Sequence, residues 1–74
     1  MTDSLSPVPS DQDLREMFHR LNNQLGIILA HAELLEAKAG DDASRARAAQ
    51  VVASTLDAMS TARDLRRRSE LAGV

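Results

Sequence analysis

The chain has 74 residues and no cysteine, which excludes a disulfide scaffold, a thiolate metal site and a multidomain enzyme. A single aromatic residue and twelve alanines disfavour a β-sandwich or barrel, because strands draw on aromatic and β-branched side chains, so we expect one all-α domain. With 9 basic against 11 acidic residues the net charge is -2, which disfavours nucleic acid as a partner.

The first nine residues carry Pro7 and Pro9 and no hydrophobic periodicity, which predicts a disordered leader over residues 1–9. They lack the basic and apolar regions of a signal peptide, and no later stretch reaches the roughly 20 apolar residues of a membrane span. We therefore expect a cytoplasmic protein without a membrane partner. The initiating Met1, the short leader and the uncharged end at Val74 favour a complete small protein over a fragment of a longer one.

A first helix is predicted over residues 11–39. Ser10 with Asp13 three residues later resembles a capping box, and acidic residues in the first turn suit the helix dipole. Apolar residues then recur at alternating spacings of four and three, as in a coiled coil or helical bundle. This seam consists of Leu14, Phe18, Leu21, Leu25, Ile28, Ala32, Leu35 and Ala39.

A short turn follows, with Gly40 as the C-terminal cap of helix one and Asp41 and Asp42 as the N-terminal cap of helix two. Helix two is predicted over residues 42–71, with a weaker face of smaller side chains. That face consists of Ala48, Val52, Thr55 or Leu56, Met59, Ala62, and Leu65 or Arg66. The two helices should lie antiparallel, as a hairpin over residues 10–72.

The hairpin is predicted to homodimerise. At about 25 cal/mol per Å² of buried apolar surface, one face of small residues does not offset roughly 1 to 2 kcal/mol of conformational entropy per ordered residue. Two hairpins packed as a four-helix bundle bury a larger core. We therefore expect an all-α, four-helix homodimer.

The side of helix one that points away from the seam carries His19, because each residue turns the helix by about 100°. The same side carries Asn23, Gly26, Ile27, Ala30 and Leu34. Exposed aliphatic side chains beside a reactive imidazole indicate a docking surface. The alternative is that Ile27 and Leu34 pack at the flank of a broad bundle core.

Residues 18–35 read FHRLNNQLGIILAHAELL. This segment resembles the phosphoacceptor segment of two-component sensor histidine kinases, in the subgroup with His-Asp-x-Asn-Asn-x-Leu, two aliphatic residues and a later Glu-Leu-Leu. The resemblance covers residues 12–68. It implies the family's dimerisation and histidine phosphotransfer (DHp, HisKA-like) domain, a two-helix hairpin that dimerises into a four-helix bundle. It also implies signal transduction in a two-component phosphorelay.

The resemblance matches His19 to the phosphoaccepting histidine and Asn23 to the second asparagine of the motif. Arg20 departs from the pattern, because the family carries Asp or Glu beside the histidine. A cation there weakens acid–base assistance to the imidazole, which favours docking without phosphotransfer. The implied partners are a response-regulator receiver domain or a sensor kinase.

The family's ATP-binding domain needs well over 100 further residues, so the sequence predicts no autonomous kinase and at most a histidine phosphotransfer protein. Two histidines, no cysteine and no glycine-rich loop predict no metal and no cofactor. His31, Glu33 and Glu36 do not converge on one helix face as metal ligands would.

Helix two ends in an arginine-rich stretch. Counting back from the turn places residue 62 level with His19, so Arg63 is predicted near the histidine and Arg66 one turn further out. These arginines are either a solvated helix end or a collar that attracts an acidic receiver pocket or a phosphate. The same arginines are the basis of an alternative function, a structural or RNA-binding hairpin dimer with no phosphotransfer. The acidic character of the rest of the chain disfavours RNA binding.

Overall fold

The computed structural model describes residues 10–71, so the predicted leader (1–9) and the last three residues lie outside the described range. Within residues 10–71 the chain forms two α-helices, α1 (Asp11–Lys38) and α2 (Asp42–Leu71), which pack against each other as a hairpin. The predicted all-α hairpin is therefore confirmed. Neither of these two helices combines the length and hydropathy that crossing a membrane requires.

Side-chain caps define where both helices begin. The Ser10 hydroxyl accepts a hydrogen bond from the backbone N–H of Asp13 at 3.1 Å, as the capping pattern predicts. The Asp41 carboxylate accepts one from the backbone N–H of Ser44 at 3.3 Å. Each bond satisfies a donor that the first turn of a helix leaves without a backbone partner.

The turn differs from the sequence prediction in how α1 ends. The helix stops at Lys38, and the cap residue Ala39 has extended backbone angles (φ -62°, ψ 132°). Gly40 follows with a φ outside the left-handed region, so no left-handed glycine closes the helix. Instead, the Arg45 guanidinium donates to the Ala39 carbonyl at 3.2 Å and to the Asp42 carboxylate at 3.4 Å. This pair of bonds ties the end of α1 to the start of α2.

Small side chains form the contact between the two helices. The buried residues are Ala32 from α1 and Ala48, Thr55 and Ala62 from α2. The Thr55 hydroxyl donates to the Val51 carbonyl at 2.7 Å, which satisfies its polar group inside the contact. The sequence predicts either Thr55 or Leu56 on the face of α2 that contacts α1. Thr55 is the residue that faces α1, since it is buried and Leu56 is exposed. No large side chain in residues 10–71 is fully buried.

The seam of α1 divides between two directions. Its members that face α2 are Leu14, Phe18, Leu25 and Ala32. Leu21, Ile28 and Leu35 are instead exposed, on one flank of this contact. The division arises because a strict seven-residue repeat drifts by about 20° per heptad on a straight helix, so one neighbouring helix covers only part of the stripe.

The exposed part of the seam continues onto α2. Leu35 shares a surface groove with Val51, and Met17 and Leu21 share another with Leu65. We call this surface the open face. It comprises Met17, Leu21, Ile28 and Leu35 from α1 and Val51 and Leu65 from α2, all exposed in a single chain.

The close approach of the two helices can be tested at Ala32, because this side chain is only 3% exposed. We expect Ala32→Leu to destabilise the fold by about 1 to 3 kcal/mol, since extra methylene groups in a packed contact force the helices apart. Ala37→Leu is the matched control, because Ala37 is exposed on the same helix. Thermal unfolding followed by circular dichroism compares them, and equal melting temperatures would contradict the observed contact.

Candidate functional site

His19 lies in the third turn of α1 and is exposed, as is Asn23 one helical turn later. Side chains four residues apart are neighbours on a helix surface, so the amide and the imidazole share one side of α1. The structure therefore places both residues on the exposed surface that the sequence predicts. It leaves the imidazole accessible to a partner protein.

A surface recess surrounds His19 at the open end of the hairpin. It is lined by Gln12, Arg15, Glu16 and His19 from α1 and by Arg66 from α2. The four residues of α1 follow spacings of three and four, so they lie on one side of the helix. We call this surface the His19 recess. Sequence reasoning missed Arg15 and Glu16, although their spacings of four and three from His19 were a usable signal.

Arg66, rather than Arg63, is the arginine of α2 that lines the His19 recess. Arg66 follows the buried Ala62 by four residues and so lies on the side of α2 that faces α1, whereas Arg63 does not. Counting residues from the turn gives the level of each arginine along α2, but it does not give the side of the helix on which the arginine lies. Arg63, Arg67 and Arg68 are exposed on other sides of α2.

Arg66 has acidic neighbours on both helices, because Glu16 lines the same recess and Glu70 lies one turn further along α2. Its Nε lies 3.8 Å from the Glu70 carboxylate, which is longer than a hydrogen bond, and both side chains are about half exposed. Exposed pairs of this kind contribute about 0 to 1 kcal/mol. The pair with Glu70 therefore holds the Arg66 guanidinium only weakly.

Arg20 does not line the His19 recess. It lines a groove at the edge of the open face together with Met17, Leu21 and Leu65. Residues 19 and 20 project about 100° apart on a helix, which separates the guanidinium from the imidazole. The position beside the histidine thus supplies no acid, and its cation lies next to the open face.

The remaining predicted partner-binding residues of α1 form a second apolar surface. Ile27 is 60% exposed, and Ala30 and Leu34 are exposed with it. We call these three residues the outer strip. It lies in line with His19 and more than a quarter-turn around α1 from the open face, so the two apolar surfaces are distinct.

The site therefore combines an accessible imidazole, two guanidinium groups from different helices and an adjacent aliphatic strip. An unprotonated imidazole is a nucleophile, and guanidinium groups bind carboxylates and phosphates. No protein-family model, curated protein or solved structure matches the chain.

Proposed function

We propose that this chain is a homodimeric helical hairpin of two-component signalling, similar to a histidine kinase DHp domain. It docks a response-regulator receiver domain or a sensor kinase along α1, and His19 lies within that docking surface. The sequence likeness of residues 18–35 supports this proposal. The observation that carries it is that α1 has two separate exposed apolar surfaces, the open face and the outer strip beside His19.

The second copy covers the open face. The radius of gyration is 17.0 Å, compared with about 11 Å for a compact chain of this length. The chain extends 57 × 25 × 14 Å, which makes it a single layer of helices, whereas stable domains enclose a core between two layers. A second hairpin seated on the open face supplies the missing layer and encloses Leu21, Ile28 and Leu35.

The outer strip stays uncovered in that dimer, because it projects away from both α2 and the open face. Its small central residue, Ala30, lets another helix approach closely, while Ile27 and Leu34 supply apolar contact area. Arg66 adds a positive charge beside His19, and Arg63 is exposed on another side of the same end of α2, which suits an acidic pocket on the partner. The strip and the histidine together form one continuous docking surface.

We expect Ala30→Arg and Ile27→Glu each to abolish partner binding while helicity and dimer mass stay unchanged. A charge in the centre of a small apolar interface is left without a partner, which costs several kcal/mol. Titration against a set of purified receiver domains and kinases measures the effect. Ala53→Arg is the control, because Ala53 is exposed on α2.

Two results would reject this surface. If Ala30→Arg or Ile27→Glu unfolds the protein, these residues belong to the bundle core instead. If no receiver domain or kinase binds the wild-type chain, the proposed signalling role fails. A salt-dependent gel shift with mixed RNA would then support the RNA-binding alternative through the arginines of α2.

A further inference from the structure

Gly26 has no role in the hairpin contact, although it lies in the middle of α1. Glycine in a helix interior is less stable than alanine, because it loses more conformational freedom on folding. A Cβ atom at this position would have no atom of another part of residues 10–71 within 4 Å. The helix also continues through this residue to Lys38, so Gly26 does not end a helix.

Leu56 is a second residue that neither the hairpin contact nor the open face uses. The exposed large apolar side chains of α2 are Val51, Leu56, Leu65 and Leu71. Val51 and Leu65 belong to the open face, and Leu71 is the last residue of the helix. Leu56 is 51% exposed in the middle of α2. A single exposed leucine needs no explanation, so its place relative to Gly26 decides whether it has a role.

Gly26 and Leu56 both lie on the flank of the hairpin opposite the open face. Leu35 follows Gly26 by nine residues on α1, and Leu65 follows Leu56 by nine residues on α2. Nine residues correspond to two and a half helical turns, so the members of each pair project in opposite directions. Because Leu35 and Leu65 belong to the open face, a second copy seated there leaves Gly26 and Leu56 uncovered.

The two residues also lie at the same level of the hairpin. The residues just before them, Leu25 and Thr55, line one groove between the helices. Ile27 of the outer strip follows Gly26 directly and is 60% exposed. The missing side chain of Gly26 therefore leaves a gap with an exposed aliphatic side chain on either side. We call Gly26, Ile27 and Leu56 the glycine gap.

We propose that the glycine gap receives an α-helix of the docking partner, which crosses Gly26 and packs apolar side chains against Leu56 and Ile27. This inference rests on the proposed function in placing the partner on this side of α1. Glycine permits the closest approach of another backbone, and exposed aliphatic side chains beside it suit the apolar face of an amphipathic helix. The docking surface then extends from α1 onto α2.

The partner helix carries an acidic side chain toward the His19 end of the hairpin. Arg63 follows Leu56 by seven residues, so it lies on the same side of α2 two turns closer to that end. It is exposed, and neither ion pair within residues 10–71 involves it. Its neighbour Asp64 projects about 100° away around α2. An acidic residue two turns along the partner helix from Leu56 meets Arg63.

Gly26→Ala separates a docking role from a structural one. We expect this variant to raise the melting temperature by about 4 to 8 °C, because alanine favours the helix and its methyl group meets no other part of the described chain. The same methyl group should weaken partner binding. Circular dichroism of the full chain measures the first effect, and titration with a receiver domain or kinase that binds the wild-type chain measures the second.

Larger changes at the gap should have larger effects on binding. We expect Gly26→Leu to weaken it at least about tenfold by blocking the close approach, and Leu56→Ala about fivefold by removing apolar contact area. Arg63→Glu should weaken it about fivefold at low salt and less at high salt. Ala46→Leu and Leu71→Ala are the matched controls, because both positions are exposed on α2 outside the gap, and binding should stay within about twofold.

The outcomes separate this inference from the proposed function. If no receiver domain or kinase binds the wild-type chain, both fail. If one binds and Ile27→Glu abolishes the binding, while Gly26→Leu and Leu56→Ala leave it unchanged, only the glycine gap is rejected. A lower melting temperature of Gly26→Ala, or a lower mass of Gly26→Leu in sedimentation, would place Gly26 in a contact between helices or copies and would also overturn the proposal.

Discussion

Ile28→Glu should dissociate and unfold the protein, whereas Ile27→Glu should leave the folded dimer intact. The two isoleucines are adjacent and both exposed in a single chain, at 47% and 60%. They project about 100° apart, so Ile28 lies on the open face and Ile27 on the outer strip. The two substitutions are expected to differ in their effect on stability only if a second copy covers the open face.

The size of the effect follows from burial in the dimer. A carboxylate enclosed without a partner costs at least about 3 kcal/mol per copy, and two copies share one interface. That total is comparable with the 5 to 15 kcal/mol that stabilises a typical domain, so we expect a loss of helical signal at 25 °C. On the outer strip the same carboxylate remains in water and costs little.

Circular dichroism and sedimentation velocity at matched concentrations separate the two variants. Leu25→Glu is a further comparison, because Leu25 is half-buried against α2 within one chain and should unfold with or without a dimer. If Ile28→Glu and Ile27→Glu melt at the same temperature, the open face is not an interface.

His19→Gln should remove all phosphoryl transfer from a phosphorylated receiver domain to this chain. The expected product on the wild-type protein is an acid-labile, base-stable phosphohistidine, and glutamine offers no nucleophilic nitrogen. His31→Gln is the matched control and should transfer normally, since His31 lies outside the recess. If the His19→Gln variant still became phosphorylated, the acceptor would be another residue.

Arg20→Glu extends this experiment. It restores an acid at the position where the histidine kinase motif carries one, so transfer to His19 should increase. A decrease would mean that Arg20 itself contacts the phosphoryl group, despite its place at the edge of the open face. If no donor phosphorylates the wild-type chain, the result would favour a protein that docks its partner without phosphoryl transfer.

The hairpin could be predicted because its signals are local. Ser10 at the start of α1 and Asp41 at the start of α2 act within a few residues of their own positions, and both form the capping bonds that the sequence indicates. The end of α1 was less predictable. Its closure depends on Arg45, six residues after Ala39, and no sequence rule pairs an arginine at that distance with a helix cap.

The division of the seam could not be read from the sequence. Periodicity shows that Leu21, Leu25 and Ile28 lie on one stripe, but not which neighbouring helix covers each of them. The choice of Thr55 over Leu56 likewise depends on how closely the helices approach, since a hydroxyl bonded to its own helix fits where a leucine does not. Both outcomes are properties of the packing between helices.

The His19 recess shows a similar limit. The exposure of His19 and of the outer strip follows from angles around one helix, and was predicted from them. The contribution of Arg66 depends on the relative rotation of two helices, which residue counting along the hairpin does not give. Arg15 and Glu16 lie within one turn of His19, but no part of the histidine kinase motif points to them.

The mass of the wild-type chain in solution tests the central claim most directly. Sedimentation equilibrium over a micromolar concentration series, with helicity measured on the same samples, should give twice the chain mass of 8.0 kDa together with a fully helical signal. Dilution should reduce mass and helicity together, because a single hairpin has a core of three alanines and one threonine. A species of 8.0 kDa that remains helical would contradict the four-helix dimer.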